Sequence, residues 1–153
     1  MLPSLDYFEN HEPMMPALLG PRARVLLVEA DEDLRGVISG QLLRDGFHVY
    51  QAVSTAEVRA WFPVLVGQDA VDLLVFDVSG RGGDRSAITV VRELREAGCR
   101  LPVLFLSALP DAVVSESATE LAAFVLSKPF SLEGLAETAL DVIDGARVRT
   151  PLS

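Results

Sequence analysis

The sequence predicts a doubly wound α/β fold: a five-stranded parallel sheet in the order 2-1-3-4-5 with helices on both faces. Three observations lead there. Short continuous apolar runs recur along the chain (Val25-Leu26-Leu27-Val28, Leu73-Leu74-Val75-Phe76, Val103-Leu104-Phe105-Leu106), which suits strands covered on both faces. Between them lie segments with apolar residues at helical spacing, an alternation that implies parallel strands joined by right-handed crossovers. Two of the runs end in acids, Glu29 and Asp77. The order 2-1-3-4-5 sets those strands side by side at the switch point, where ligands bind outside the carboxyl ends of strands.

Taken in order, residues 1–21 hold Pro3, Pro13, Pro16 and Pro21 without sustained periodicity and read as an irregular extension. Residues 24–29 form the first strand. A helix over 33–45 follows, with Leu34, Val37, Ile38 and Leu42 on one face, Asp31 or Asp33 as cap and Gly46 as terminator. Residues 47–53 give the second strand. Ser54-Thr55-Ala56-Glu57 has a capping-box pattern and opens a helix carrying Val58, Trp61, Phe62 and Leu65, which Pro63 should kink or end. Trp61 is expected in the core. The third strand, 71–77, runs into the glycine-rich Ser79-Gly80-Arg81-Gly82-Gly83-Asp84-Arg85, and Ile88, Val91 and Leu94 predict a helix ending near Gly98.

Residues 103–107 are a fourth strand ending in Ser107. Pro110 and Asp111 can start a helix whose run to Thr119 has weak propensity. A fifth strand over 122–126 precedes Ser127-Lys128-Pro129-Phe130. Ser131 then caps a last helix with Leu132, Leu135, Ala136, Ala139, Leu140 and Ile143 on one stripe, fading by Arg147. Residues 148–153 are a tail, so one domain is expected over 22–147.

Composition narrows the function. The apolar runs are far shorter than the ~20 residues of a membrane-spanning helix, and residues 1–20 lack the basic start and apolar centre of a secretory signal, so a cytoplasmic protein is expected. A net charge of −9 argues against a nucleic-acid surface, and the single Cys99 excludes an internal disulfide or a multi-cysteine zinc site. His11 and His48 have no neighbours that suggest a ligand role.

The strand ends bring together Glu29 and Asp31, Asp77, Ser107 and Lys128. Clustered carboxylates with a nearby backbone carbonyl suit Mg²⁺, a hard ion that prefers oxygen. Lys128 supplies a point charge for an anion, and Pro129 can hold it in an unusual local geometry. Such a set can perform phosphoryl transfer to a carboxylate, since positioning and charge neutralisation are most of what that chemistry needs.

From about Arg24 to Arg147 the chain resembles the receiver domain of bacterial two-component response regulators. The likeness rests on Val25-Leu26-Leu27-Val28-Glu29 with Asp33-Leu34-Arg35, on Asp72-Leu73-Leu74-Val75-Phe76-Asp77, on Val103-Leu104-Phe105-Leu106-Ser107-Ala108 and on Leu126-Ser127-Lys128-Pro129-Phe130. By that resemblance Asp77 is the phosphoacceptor, Ser107 the hydroxyl that engages the phosphoryl group and Lys128 its ion-pair partner. Mg²⁺ would be held by Glu29, Asp77 and the Ser79 backbone carbonyl, with Asp31 as an alternative ligand.

The family usually has two adjacent acids after the first strand, whereas here Ala30 follows Glu29, which implies weak metal binding. Gly80-Arg81-Gly82-Gly83 replaces the usual Pro-Gly, and Val125, or Phe124 beside it, stands at the aromatic switch position. The resemblance implies a signalling module rather than an enzyme. Its partners would be a histidine kinase or histidine phosphotransfer protein and a downstream protein, with homodimerisation through the face of the fourth helix, fifth strand and fifth helix as a further option. No output domain follows Ile143, so a single-domain regulator is expected. The competing reading is a degenerate receiver that binds partners without phosphorylation. A dehalogenase-type Asp-x-Asp is absent because Ser79 holds the second place, and the acids of 29–33 would repel a dinucleotide phosphate.

Overall fold

Each apolar run supplies side chains to both faces of one sheet, and the structure, a computed structural model, describes residues 23–67, 70–78, 85–108 and 112–149. Strands β1 (Arg24–Val28), β2 (His48–Ala52), β3 (Leu73–Asp77), β4 (Val103–Ser107) and β5 (Phe124–Ser127) pair in parallel in the order β2-β1-β3-β4-β5, as the sequence predicts. Leu26, Val28, Leu74, Phe76, Val103 and Phe105 face one core. Val25, Leu27, Leu73, Val75, Leu104 and Leu106 face the other. With two cores to fill, β3 has no polar position before Asp77, which is why it reads as a continuous run and not as an alternation.

Helices α1 (Glu32–Arg44) and α6 (Leu132–Arg149) cover the second core with Ile38, Leu42, Leu135, Ala139 and Ile143. Helices α2 (Thr55–Ala60), α3 (Phe62–Gly67), α4 (Ser86–Glu96) and α5 (Ala112–Glu120) cover the first through Val58, Leu65, Ile88, Val91, Leu94, Val114 and Ala118. Asp31 is the N-cap of α1, its Oδ1 accepting from Leu34 N at 2.9 Å. The chain leaves α1 and α4 through Gly46 (φ 94°) and Gly98 (φ 86°), a left-handed exit that glycine adopts without a Cβ clash.

The capping box forms: Ser54 Oγ accepts from Glu57 N at 3.3 Å, and Glu57 Oε2 accepts from Val53 N at 3.0 Å, one residue earlier than the usual partner. The helix it opens breaks at Trp61, two residues before Pro63. Proline at the second position of α3 needs no amide there, whereas a continuous helix would press its ring on the Arg59 carbonyl. Trp61 is partly buried against the core with its ring centroid 5.1 Å from that of Tyr50, and Cys99 is buried with Sγ donating to Leu65 O at 3.3 Å.

Several boundaries differ from expectation; β3, for one, starts at Leu73, not 71, and β2 spans His48–Ala52, not 47–53. Strand β5 starts at Phe124, not 122, because α5 exits through Ala122 in the left-handed region (φ 55°), with Ala123 N donating back to Ala118 O at 2.7 Å. Helix α6 continues two residues past Arg147. The N-terminal extension, Ser79, the rest of the glycine-rich loop to Asp84, Asp111 and the tail from 150 lie outside the described residues.

Candidate functional site

The register of the sheet places the candidate residues. Val28 pairs with Phe76, so Glu29 and Asp77 are the next residues of adjacent strands, and each continues the alternation of the side covered by α1 and α6. Ser107 ends β4, beside Ser127 of β5, and the Lys128 amide donates to the Ser107 carbonyl at 2.6 Å. The peptide bond from Lys128 to Pro129 is cis. All four residues therefore stand at one edge, outside the carboxyl ends of the strands, where the topology reverses.

Lys128 crosses that edge: its Nζ donates to Asp77 Oδ2 at 2.8 Å. The pair is sheltered, with side chains 24% and 10% exposed, so salt screens it less than a surface pair. Glu29 is 94% buried (6% exposed), its Oε2 accepting from Asp31 N at 3.0 Å. Its Oε1 has no hydrogen-bond partner among the described residues.

Burial pushes the Glu29 carboxyl from 4.5 up to about 7. A hydrogen bond with Asp77 and the charge of Asp77 act in the same direction, while the Asp31 amide and Lys128 oppose them. Two ionised carboxylates have no proton to share, which is why Oε1 finds no partner until one of the pair is protonated.

A buried carboxylate oxygen without a donor, beside a second carboxylate, fits a hard cation, so the donor set is compatible with Mg²⁺. It is a sparse set. Among the described residues no three His, Cys, Asp or Glu side chains gather to hold a metal. Ala30 contributes only a methyl group, and Asp31 is exposed with its carboxylate engaged as the α1 cap. Ser79 lies outside the described residues. Phe124 is partly buried on the α1/α6 side, and Val125 is 36% exposed.

Sequence reasoning missed a cation beside this site. Arg35 donates from Nη1 to the Glu29 carbonyl at 2.9 Å and from Nε to Gln51 Oε1 at 3.1 Å. A backbone carbonyl leaves no trace in the sequence. Only the presence of an arginine one turn into an acidic helix start could have drawn notice.

No protein-family model and no curated protein sequence matches the chain. Solved structures do. The non-phosphorylated HemR receiver domain from Leptospira biflexa is similar over 86% of this chain and 100% of its own, with 28% identity and a TM-score of 0.70. The chemotaxis protein CheY4 of Vibrio cholerae is similar over 80% and 99%, with 23% identity and a TM-score of 0.67. A Francisella response regulator receiver domain matches over 82% and 100%, with 20% identity and a TM-score of 0.68. The chain has the receiver-domain fold.

Proposed function

We propose that this chain is a response-regulator receiver that accepts a phosphoryl group on Asp77 from the phosphohistidine of a histidine kinase or histidine phosphotransfer protein and signals through protein–protein contacts. The observation that carries this reading is the Lys128–Asp77 pair at 2.8 Å, set at the switch point beside Glu29. In the transfer an Asp77 oxygen attacks phosphorus, the P–N bond breaks, the imidazole takes up a proton and an acyl phosphate forms on Asp77. Little covalent chemistry is asked of the protein. Lys128 moves its charge from the unmodified carboxylate to the phosphoryl oxygens, and the Ser107 hydroxyl donates to one of them.

Glu29 and Asp77, with the Ser79 backbone carbonyl, would hold Mg²⁺, which when bound neutralises the charge of the phosphoryl group. With Ala30 beside Glu29 that binding is weak. Downstream, α5, β5 and α6 form the partner face, because Ser107 and Lys128 border it; the same face serves a homodimer where one forms. No described helix is long and apolar enough to cross a membrane, and a cytoplasmic setting goes with this reading.

Incubation with a small acyl phosphate and Mg²⁺, followed by mass mapping, is expected to place one acyl phosphate on Asp77. A modification that persists unchanged in Asp77→Asn sinks the assignment. Absence of modification under every donor favours the second reading, a phosphorylation-independent interaction module. That reading draws on Ala30 and on the engagement of Asp31 as a helix cap.

A further inference from the structure

Arg35 stands close behind the acidic start of α1. It comes one turn into α1, after the acidic Glu32 and Asp33, and its own amide donates to Asp31 O at 2.8 Å. Its side chain folds back over the β1–α1 turn onto the Glu29 carbonyl and Gln51 Oε1. Gln51, on the edge strand β2, donates in turn from Nε2 to Ser39 Oγ at 3.0 Å, and Ser39 is buried on α1. The guanidinium is thus fixed on one side to the β2/α1 scaffold and on the other to the residue that carries the unpartnered carboxylate oxygen. A guanidinium held at both ends by a chain of hydrogen bonds has a fixed place over this turn.

We propose that Arg35 is the positioning residue of the acidic pocket: by holding the Glu29 carbonyl it fixes the turn that keeps the Glu29 carboxyl beside Asp77. The other restraints on that turn sit at its two ends, where Asp31 is also held as the α1 cap by Leu34 N and Arg35 N. Glu29 N donates to Ala52 O at 3.0 Å and Asp31 N donates to Glu29 Oε2 at 3.0 Å, while Ala30 is exposed and has no polar side chain to help. Rotation of the peptide plane after Glu29 re-aims the turn that carries the Asp31 amide and breaks its bond to the Glu29 carboxyl, which is then free to rotate away from Asp77. The geometry stands by itself; its link to phosphoryl transfer rests on the function proposed above.

Solvent exchange of the Asp31 amide, measured by NMR in the unmodified protein, tests this directly. Arg35→Gln is expected to raise that rate about tenfold, the worth of one hydrogen bond. Arg35→Lys, which keeps the charge but loses the planar fork, should raise it less, and Gln51→Leu should act in the same direction as Arg35→Gln. The core amides of Leu26 and Leu42 should keep their rates. An unchanged Asp31 rate in Arg35→Gln overturns the proposal. So does a rise shared equally by Asp31, Leu26 and Leu42, which is general destabilisation and not positioning. Should Asp77 prove not to be a phosphoacceptor, the proposed function fails while the exchange rates still decide the role of Arg35.

Discussion

At the turn after β1 a methyl group stands where the resemblance leads one to expect a carboxylate, and the neighbouring acids do not replace it. Asp31 caps α1, and Glu29 turns one oxygen to the Asp31 amide. A carboxylate touching Mg²⁺ in such a site contributes a Coulomb attraction of a few kcal/mol at an effective dielectric of ~20, partly offset by dehydration of both partners. A net loss of roughly 1.5 to 4 kcal/mol is about one to three decades in the dissociation constant. Ala30→Asp is therefore expected to tighten Mg²⁺ binding by at least tenfold and to speed modification of Asp77. A metal titration that follows the Asp77 environment in both proteins checks this. Equal affinities would mean that another group already supplies the missing ligand.

Among the elements, those built on buried apolar periodicity were legible and those ended by backbone conformation were not. The run from Val103 to Ser107 matched β4 residue for residue, because five consecutive buried positions leave no ambiguity. The start of β5 was misplaced since Ala122, chemically bland, takes a left-handed exit that sequence normally assigns to glycine. Arg95 was equally invisible in its role. From the end of α4 its Nε donates to Leu121 O at 2.8 Å, and its Nη1 donates to Cys99 O at 3.0 Å and Leu101 O at 2.8 Å, stitching the exit of α5 to the entry of β4.

Burial of that guanidinium pushes its pKa below the ordinary arginine value. Arg95→Met should cost about 2 to 4 kcal/mol, since three part-buried carbonyls lose their donor at once. Arg95→Lys should recover less than half, because an ammonium cannot span carbonyls on both sides. Urea midpoints with unchanged m-values would read this loss; a midpoint within error of the parent would show that water satisfies the three carbonyls equally well.

For the molecule as a whole, the candidate site was legible as a set of residues and illegible as an electrostatic state. Strand ends and the sheet order sufficed to gather Glu29, Asp77, Ser107 and Lys128, but the protonation of Glu29 depends on how deeply the fold buries it. That burial has a global consequence. A carboxyl raised from 4.5 to about 7 keeps, between those two pH values, a proton that the unfolded chain has released. The native state then binds more protons than the unfolded one, so the free energy of unfolding falls as pH rises.

The stability from Glu29 is fully present below about pH 4.5 and is lost by the time the pH has risen through about 7. Its size is on the order of 3 kcal/mol, taking 1.36 kcal/mol per pKa unit. Denaturant titrations at fixed ionic strength should find the protein less stable at pH 8 than at pH 5, and Glu29→Gln should flatten most of that slope. Mg²⁺ favours the ionised carboxyl, so millimolar metal should restore part of the loss at pH 8 and none at pH 5. A parent protein whose stability is level or rising from pH 5 to 8, or a Glu29→Gln variant with the parent's slope, would show that the buried proton resides elsewhere in the pocket.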